Sequence, residues 1–204
     1  MKIVLATANQ DKLQEIRRIL GGLGIDFLTL GDFPGIPKTE ETGDSLRENA
    51  ILKAKSALEF TGFPSLADDS GLEVEYLKGA PGVNSARFAG PNCTYRDNNL
   101  KLLSLLGGVA WEKRKATFVC VAALALNDKE ILTKEGKVSG YIADKELGGY
   151  GFGYDPLFYF PPKEKTFGQM SAYEKNQVSH RASAFSQIRD VIRRNLLTQD
   201  TGNL

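Results

Sequence analysis

Two long apolar segments late in the chain constrain the fold more than any other feature. Residues 116–126 and 131–142 are rich in apolar and β-branched side chains, and the turn-forming residues Asn127 and Asp128 lie between them. Two such runs on either side of a turn predict a β-hairpin. We therefore expect a sheet that contains one long hairpin.

Shorter strands and helices alternate earlier in the chain. Residues 3–6 and 26–30 predict buried strands, and the helix between them places Leu13, Ile16 and Leu20 on one face. Further helices are predicted over residues 44–60, 95–106 and 180–197, the last with Phe185, Ile188, Ile192 and Leu196 facing inward. Early alternation followed by a late hairpin predicts an α/β fold, with a mixed β-sheet flanked by helices.

The bulk composition narrows the class of protein. The 204 residues include 26 Lys and Arg against 25 Asp and Glu, which gives a net charge of +1, and the basic residues are scattered. Proteins that bind duplexes or membrane surfaces usually gather a basic excess on one face. We therefore expect a small-molecule ligand and no nucleic-acid or membrane partner. No internal repeat or linker divides the chain, so residues 1–204 are expected to form a single domain.

The cysteines and the N-terminus bear on the compartment. Cys93 and Cys120 match no zinc or redox spacing; they could pair, but neither lies in a recognisable disulfide framework. The N-terminal apolar run is too short for a signal segment, and no stretch approaches the length of a membrane span. We expect a reducing, cytoplasmic location.

The acidic pair Asp68-Asp69 is the first candidate for chemistry. We expect residues 65–68 to form a short strand that ends at this pair, with a separate strand over residues 72–76. Two acids at a strand end commonly hold Mg²⁺, which takes a few carboxylates together with waters and substrate phosphates. Asp, Ser and Gly are also ordinary turn residues, so a polar turn is the alternative. Adjacent strand residues point to opposite faces, so only one carboxylate can enter a given cleft squarely.

Two further segments could meet an anion. The turn from Thr7 to Lys12 joins the first strand to the first helix, where backbone N–H groups and the helix dipole favour negative charge. The alternative makes Asn9 an ordinary N-cap and Lys12 a solvated residue. Lys53 lies at the edge of the apolar stripe of the helix over residues 44–60, and helical geometry alone favours a side chain that extends outward to solvent.

The glycine- and aromatic-rich segment 148–156 is a candidate for base recognition. Its glycines permit close backbone approach to a flat ligand, and Phe152 or Tyr154 could stack on a base. Asp155 could accept a hydrogen bond from the base or fix the loop, and a β-bulge or aromatic corner is the structural alternative. Further on, His180 and Arg181 fall in the first turn of a helix, where cations are unfavourable unless an anion or polar ligand is near.

Seven segments, taken together and in order, resemble the inosine-triphosphate pyrophosphatase family. They are Thr7-x-Asn9-x-x-Lys12, Glu40-Glu41-Thr42-Gly43, Glu48-Asn49-Ala50-x-x-Lys53-Ala54, Asp68-Asp69-Ser70-Gly71-Leu72, Gly79-x-Pro81-Gly82-x-x-Ser85-Ala86-Arg87, the run from Gly149 to Pro156, and Ser179-His180-Arg181. Each motif is weak alone, but seven in register are specific, and they extend over nearly the whole chain.

The resemblance implies Mg²⁺-dependent hydrolysis of ITP, dITP or XTP to the monophosphate and pyrophosphate. It also implies an elongated fold of two lobes with a cleft between them, and a homodimer. Asp69 would be the general base and a Mg²⁺ ligand, with Glu40 or Glu41 as a further ligand, and Ser70 would contact substrate. The phosphates would be bound by Thr7, Ala8, Asn9, Gln10, Asp11, Lys12 and Lys53. The nucleoside would be bound by Phe152, Gly153, Tyr154, Asp155, Lys175, His180 and Arg181.

Two other functions remain open at this stage. One is a related pyrophosphatase for modified pyrimidine nucleotides, which the purine-type segments at 152–155 and 179–181 disfavour. The other is a non-catalytic module that binds a nucleotide or nucleic acid. The balanced charge disfavours nucleic acid, and the acidic pair disfavours passive binding.

Overall fold

The computed structural model describes residues 1–194, in which the strands form one seven-stranded sheet of order β2-β1-β3-β4-β5-β6-β7. The strands are β1 (Lys2–Leu5), β2 (Asp26–Thr29), β3 (Ser65–Val74), β4 (Lys115–Asn127), β5 (Glu130–Ile142), β6 (Phe158–Phe160) and β7 (Lys165–Thr166). The α-helices are α1 (Gln10–Leu20), α2 (Leu46–Thr61), α3 (Tyr95–Leu105), α4 (Ala172–Val178) and α5 (His180–Ile192). The predicted α/β fold with helices flanking a mixed sheet is confirmed.

The sheet is mixed because its two ends are built differently. At one end β1 pairs in parallel with β2, from Lys2 opposite Asp26 to Leu5 opposite Thr29, and in parallel with β3. At the other end β6 pairs antiparallel with both β5 and β7. The predicted long hairpin corresponds to β4 and β5, which are 13 residues each. Parallel neighbours need crossover helices, which α1 and α2 supply.

The chain divides into two compact units, and β3, β4 and β5 each contribute residues to both. The first unit contains residues 1–69, 120–136 and those from 181 onward; the second contains residues 70–119 and 137–180. The core of the first unit includes Ile3, Leu5, Leu13, Ile16, Leu20, Leu66, Phe185, Ile188 and Ile192. The core of the second unit includes Leu72, Val74, Leu102, Tyr154, Phe158, Phe167 and Met170. The inward faces predicted for α1 and for α5 up to Ile192 are therefore confirmed.

The predicted break in the sheet at Asp68-Asp69 is wrong. The strand β3 is continuous from Ser65 to Val74, so the acidic pair lies inside a strand rather than at its end. Gly71 does not make a turn. A Cβ built there would lie 2.4 Å from the carbonyl oxygen of Gly82, so the glycine instead permits close contact with the segment that follows β3.

The remaining differences are local. A 3-10 helix over Gly82–Arg87 and the short helix α4 were not predicted. The predicted end of the last helix, with Leu196 and Leu197, lies outside the described residues. Among residues 1–194, no helix has both the length and the apolar character needed to cross a bilayer.

Candidate active site

The turn between β1 and α1 is a capped helix start. The side chain of Asn9 accepts a hydrogen bond from the backbone N–H of Lys12 at 3.1 Å, and Thr7 Oγ1 accepts one from the N–H of Asn9 at 3.2 Å. Asn9 is therefore an N-cap, as one of the two interpretations required. Lys12 is not solvated, because its Nζ lies 3.0 Å from Asp68 Oδ2. Ala8, Gln10 and Asp11 are exposed on the same turn.

Asp68 is fully buried in a network of cations. Its Oδ2 contacts Lys12 Nζ, Arg181 Nη2 at 3.3 Å and the Cys120 thiol at 3.8 Å. Burial by itself raises the pKa of this carboxyl, but the attraction of Lys12, Arg181 and Lys53 outweighs burial and holds the pKa well below its usual range. Asp68 therefore stays ionised.

Arg181 links this network to the first helix. Its Nη1 lies 2.5 Å from Glu15 Oε2, and the side chain is buried. Burial alone would lower the pKa of the guanidinium, but Asp68 and Glu15 reverse that effect and raise it. Glu15 had no predicted role. The apolar periodicity of α1 gave no signal for Glu15, because this residue lies off the stripe of Leu13, Ile16 and Leu20. Its cation comes from a helix more than 160 residues later in the chain.

Asp69 faces a different set of groups, as expected for neighbours on a strand. Its Oδ1 accepts a hydrogen bond from Lys53 Nζ at 2.9 Å, and its Oδ2 accepts a longer one, 3.4 Å, from Asn49 Nδ2. Burial raises the pKa of Asp69, and the attraction of Lys53 and Lys12 only partly offsets that rise. The two adjacent carboxyls thus have pKa values moved in opposite directions.

Lys53 points into this site, so the outward orientation favoured by helical geometry is wrong. Its Nζ bridges Asp69 Oδ1 and Glu41 Oε1 at 2.9 Å each. Burial lowers the pKa of Lys53, but the carboxylates of Asp69, Asp68 and Glu41 outweigh burial and raise it. Both adjacent glutamates are exposed, and Glu41 is the one that shares Lys53 with Asp69.

Asn49 ties the loop that carries Glu41 to the same site. This buried side chain accepts a hydrogen bond from the N–H of Gly43 at 2.8 Å through Oδ1, while its Nδ2 faces Asp69. Asn49 and Lys53 are four residues apart and share one face of α2. No role had been assigned to Asn49. Two signals could have revealed it: an asparagine lies within the buried stripe of a helix, and Asn49 belongs to one of the seven segments that carry the resemblance.

The donor set fits a magnesium ion. Within residues 1–194, no three His, Cys, Asp or Glu side chains form a group that could hold a metal by themselves. The carboxylates of Asp69 and Glu41 nevertheless converge on one cationic group, the Lys53 ammonium. Mg²⁺ typically takes one or two carboxylates, with waters and substrate phosphates completing its octahedron. The two carboxylates could therefore hold Mg²⁺, and the nearby Lys12 and Lys53 could bind the phosphate groups that the ion would share with the substrate.

The second unit contains the other cluster of predicted residues. Asp155 Oδ2 accepts hydrogen bonds from the backbone N–H of Phe152 at 2.8 Å and from Lys175 Nζ at 2.5 Å. Gly151 adopts φ +73°, and a Cβ there would lie 2.1 Å from Asp155 Oδ2, so only glycine fits. Lys175 Nζ also lies 4.7 Å from the centroid of the Phe152 ring. Asp155 therefore fixes the loop, which was one of its two predicted roles.

The aromatic residues of this cluster have distinct positions. Tyr154 is buried and its hydroxyl donates to the carbonyl of Ser85 at 2.9 Å, whereas Phe152 is only half-buried and is the ring of the two that reaches solvent. His180 is also buried, and its ring stacks on Phe118 with centroids 4.6 Å apart. Gly153 and Ser70 are half-buried. Among the predicted nucleoside residues, Phe152, Asp155 and Lys175 thus contact one another, whereas His180 packs on Phe118 and Arg181 belongs to the first unit.

The chain is similar to known proteins over nearly its whole length. The model of the Ham1 family matches residues 3–191. The chain is 47% identical over 200 residues to a protein of Desulforamulus reducens named dITP/XTP pyrophosphatase, covering 98% of this chain and all of the relative. It is 46% identical over 189 residues to a protein of Geobacter sulfurreducens with the same name, covering 93% and 95%.

Solved structures show the same fold. A HAM1 protein from Coxiella burnetii superposes with a TM-score of 0.87 at 42% identity, covering 95% of this chain and 99% of that one. The Ham1 protein of Staphylococcus aureus superposes with a TM-score of 0.85 at 40% identity over the same shares of the two chains. A family model that spans almost the whole described chain, together with relatives at this identity, identifies the protein. The chain belongs to the Ham1 family.

Proposed function

We propose that this protein hydrolyses non-standard purine nucleoside triphosphates, namely XTP, dITP and ITP, to the monophosphate and pyrophosphate, and so removes them from the nucleotide pool. The observation that carries the proposal is the site around Asp69. There, a carboxyl whose pKa is raised by burial contacts Lys53, and Lys53 in turn contacts Glu41. The name dITP/XTP pyrophosphatase, shared by relatives of nearly equal length, supports the same activity.

Asp69 and Glu41 would hold Mg²⁺. When bound, the ion offsets the negative charge of the phosphate oxygens and so makes phosphorus more susceptible to attack. Lys53, which contacts both carboxylates, would also contact a phosphate oxygen of the substrate. The ligand assignment to Glu41 rather than Glu40 rests on this shared contact.

The chain's own residues would carry the proton and the phosphates. Asp69 accepts the proton of the water that attacks the α-phosphorus. Burial raises the pKa of this carboxyl in the metal-free protein, and a bound divalent ion would oppose that rise. The start of α1, with Thr7, Asn9 and Lys12, binds the phosphates through backbone N–H groups and positive charge. Lys12 and Lys53 offset the charge that develops on the leaving pyrophosphate.

Recognition of the base would fall to the loop around Phe152, with His180 and Arg181. Phe152 offers a face for stacking, and hydrogen-bond donors directed at O6 select a 6-oxo purine. Adenine has an amino group at that position, which would leave buried donors unpaired, and that is costly. Asp155, Tyr154 and Lys175 act by holding the loop, through the contacts to Phe152 and Ser85.

We also propose the setting in which the enzyme works. Residues 1–204 act as one pyrophosphatase domain, as a homodimer, in the cytoplasm, without nucleic-acid or membrane partners. The balanced charge supports the last point. Both cysteines are free thiols: Cys93 Sγ lies 3.2 Å from Asn98 Oδ1, and Cys120 contacts Asp68. Free thiols are consistent with the proposed reducing compartment. Light scattering of the purified chain measures the mass and tests the dimer.

A substrate panel with product analysis tests the activity. ITP, dITP, XTP, ATP, GTP and dUTP are incubated with the protein and Mg²⁺, and pyrophosphate and orthophosphate are measured separately. We expect pyrophosphate from the first three, with a specificity constant for ATP lower by about 100-fold or more. Equal constants for ITP and ATP, or release of orthophosphate, would contradict the proposal. A preference for dUTP would indicate the pyrimidine-directed alternative, and no turnover of any triphosphate would indicate a binding module.

A further inference from the structure

Helix α3 braces the loop proposed to bind the base. Tyr95 and Asn99 are four residues apart in this helix, so their side chains leave the same face. Asn99 is buried, and its Nδ2 donates to the carbonyl of Gly153 at 3.2 Å and to Glu146 Oε1 at 2.7 Å. Tyr95 places its ring centroid 5.9 Å from that of Phe152, with the planes tilted by 41°. One helix face thus contacts both Phe152 and the residue after it.

Tyr95 is open to solvent, unlike the two buried residues that contact Phe152. Its exposed fraction is 44%, whereas Lys175 and Asp155, which hold Phe152 from within, are 3% and 2% exposed. The backbone at Tyr95 is fixed, because it is the first residue of a helix whose N-cap, Thr94, forms a capping box with Asp97. A large ring held beside the stacking residue and left exposed has aromatic surface to offer a ligand.

We propose that Tyr95 is a specificity-determining residue, an outer aromatic wall that contacts the base stacked on Phe152 and favours two-ring purines over one-ring pyrimidines. The inference rests on the proposed function, since it assumes that the base binds at Phe152. The physical reason is area: every base has a face for stacking, but a purine reaches farther from the sugar and so covers more of a second ring. The phenol hydroxyl has no part in this, so a phenylalanine would serve equally.

The test compares three substitutions at this position with a matched control. The variants are Tyr95→Ala, Tyr95→Leu and Tyr95→Phe. The control is Tyr76→Ala, because Tyr76 is in the same unit and is similarly exposed, at 50%, but lies in a 3-10 turn after β3. KM and kcat are measured with dITP and with dUTP, and binding of inosine monophosphate is measured by calorimetry without metal.

We expect Tyr95→Ala to raise KM for dITP and to weaken inosine monophosphate by roughly 5- to 20-fold, with kcat within about twofold of wild type. KM for dUTP should change less, so the preference for purine falls. Tyr95→Leu should show most of the loss of affinity seen in Tyr95→Ala, and Tyr95→Phe should behave like wild type. Wild-type behaviour of Tyr95→Ala overturns the inference, as does full function of Tyr95→Leu, which would leave Tyr95 only an apolar brace. An equal loss in Tyr76→Ala also overturns it.

The two proposals fail in different measurements. If wild-type protein hydrolyses no purine triphosphate, the proposed function fails, and the calorimetry still tests Tyr95 through the ratio of variant to wild-type affinity for inosine monophosphate. If that binding is itself absent in wild type, the inference is overturned along with its premise. If wild-type protein hydrolyses dITP normally and Tyr95→Ala equals it, only the inference fails.

Discussion

At the scale of single residues, the defining feature is that two adjacent carboxyls have opposite electrostatic environments. Asp68 is surrounded by Lys12 and Arg181, which keep it ionised, while burial dominates at Asp69 and raises its pKa. Strand geometry causes the difference, because neighbouring side chains leave β3 on opposite faces. A pair of titratable groups whose pKa values are pushed apart is the usual arrangement when one group is a base and the other only supports it.

Substitution by asparagine should separate these two roles. Asp69→Asn should lower kcat by about 10²- to 10⁴-fold, because it removes the proton acceptor, while its melting temperature changes little. Asp68→Asn should lower the free energy of unfolding by about 3 kcal/mol, because it leaves Arg181 and Lys12 buried or half-buried without their shared anion. Steady-state kinetics and urea denaturation measure the two effects. Near-normal turnover in Asp69→Asn would rule out this residue as the base.

At the scale of elements, helix α2 organises the proposed metal site from one face. Asn49 hydrogen-bonds Gly43 in the preceding loop, and Lys53, one turn later, contacts Glu41 in that loop and Asp69 in β3. The loop is held closely, since a Cβ on Gly43 would lie 2.6 Å from the Cβ of Glu48. The helix therefore fixes which of two adjacent glutamates faces the carboxylate of Asp69.

Adjacent glutamates provide a matched pair of variants. Glu41→Gln should raise the Mg²⁺ concentration needed for half-maximal hydrolysis by at least about tenfold, because a carboxylate ligand is lost. Glu40→Gln changes the same charge one residue away, on an exposed side chain, and should leave that concentration within about twofold. Activity measured across a Mg²⁺ titration decides between them. The reverse ranking would transfer the ligand role to Glu40.

The elements also show where local sequence was insufficient. The segment Asp-Asp-Ser-Gly has the composition of a turn, yet β3 passes through it. The strand β3 lies between β1 and β4 in the sheet, and Gly71 lies against Gly82. For Lys53, helical geometry alone favoured an outward side chain, because it gives the angle of this residue on α2 but not the charges opposite it; the resemblance instead implied that Lys53 binds phosphate. Those charges, from Asp69 and Glu41, come from separate parts of the chain. In both cases a contact distant in sequence outweighed a local preference.

At the scale of the whole molecule, the positive and negative charges nearly cancel. Several carboxylates, however, are stabilised in their ionised form by the fold, so the folded state should lose stability at low pH. Asp68 is held ionised by buried cations, and Asp32, Asp97 and Glu174 by the backbone and hydroxyl groups of capping boxes. The pKa of Glu174 is lowered to about 2, mainly by Ser171. A carboxyl whose folded pKa is depressed stabilises the fold above its unfolded pKa, and that stabilisation is lost as pH falls through the folded value.

The melting temperature should therefore fall as pH decreases from about 5 to about 2, in metal-free buffer. Glu174→Gln removes one contributing carboxyl and should show a smaller fall over the same range. Asp69, whose pKa is raised, acts in the opposite sense, but it is one group against four. Calorimetric scans at fixed ionic strength measure the trend. A melting temperature that is constant or rises on acidification would contradict this account.

The sequence by itself determined the type of fold, the inward faces of its helices and the short list of chemical groups, because apolar periodicity and capping residues act locally along the chain. The seven motifs also sufficed for the family. Only the tertiary structure decided which groups meet: Lys12 with Asp68, Lys53 with Asp69 and Glu41, Arg181 with Glu15, and Tyr95 with Phe152. Such contacts join residues that are far apart in the chain. The pKa values of the titratable residues in them depend on burial, which no local pattern specifies.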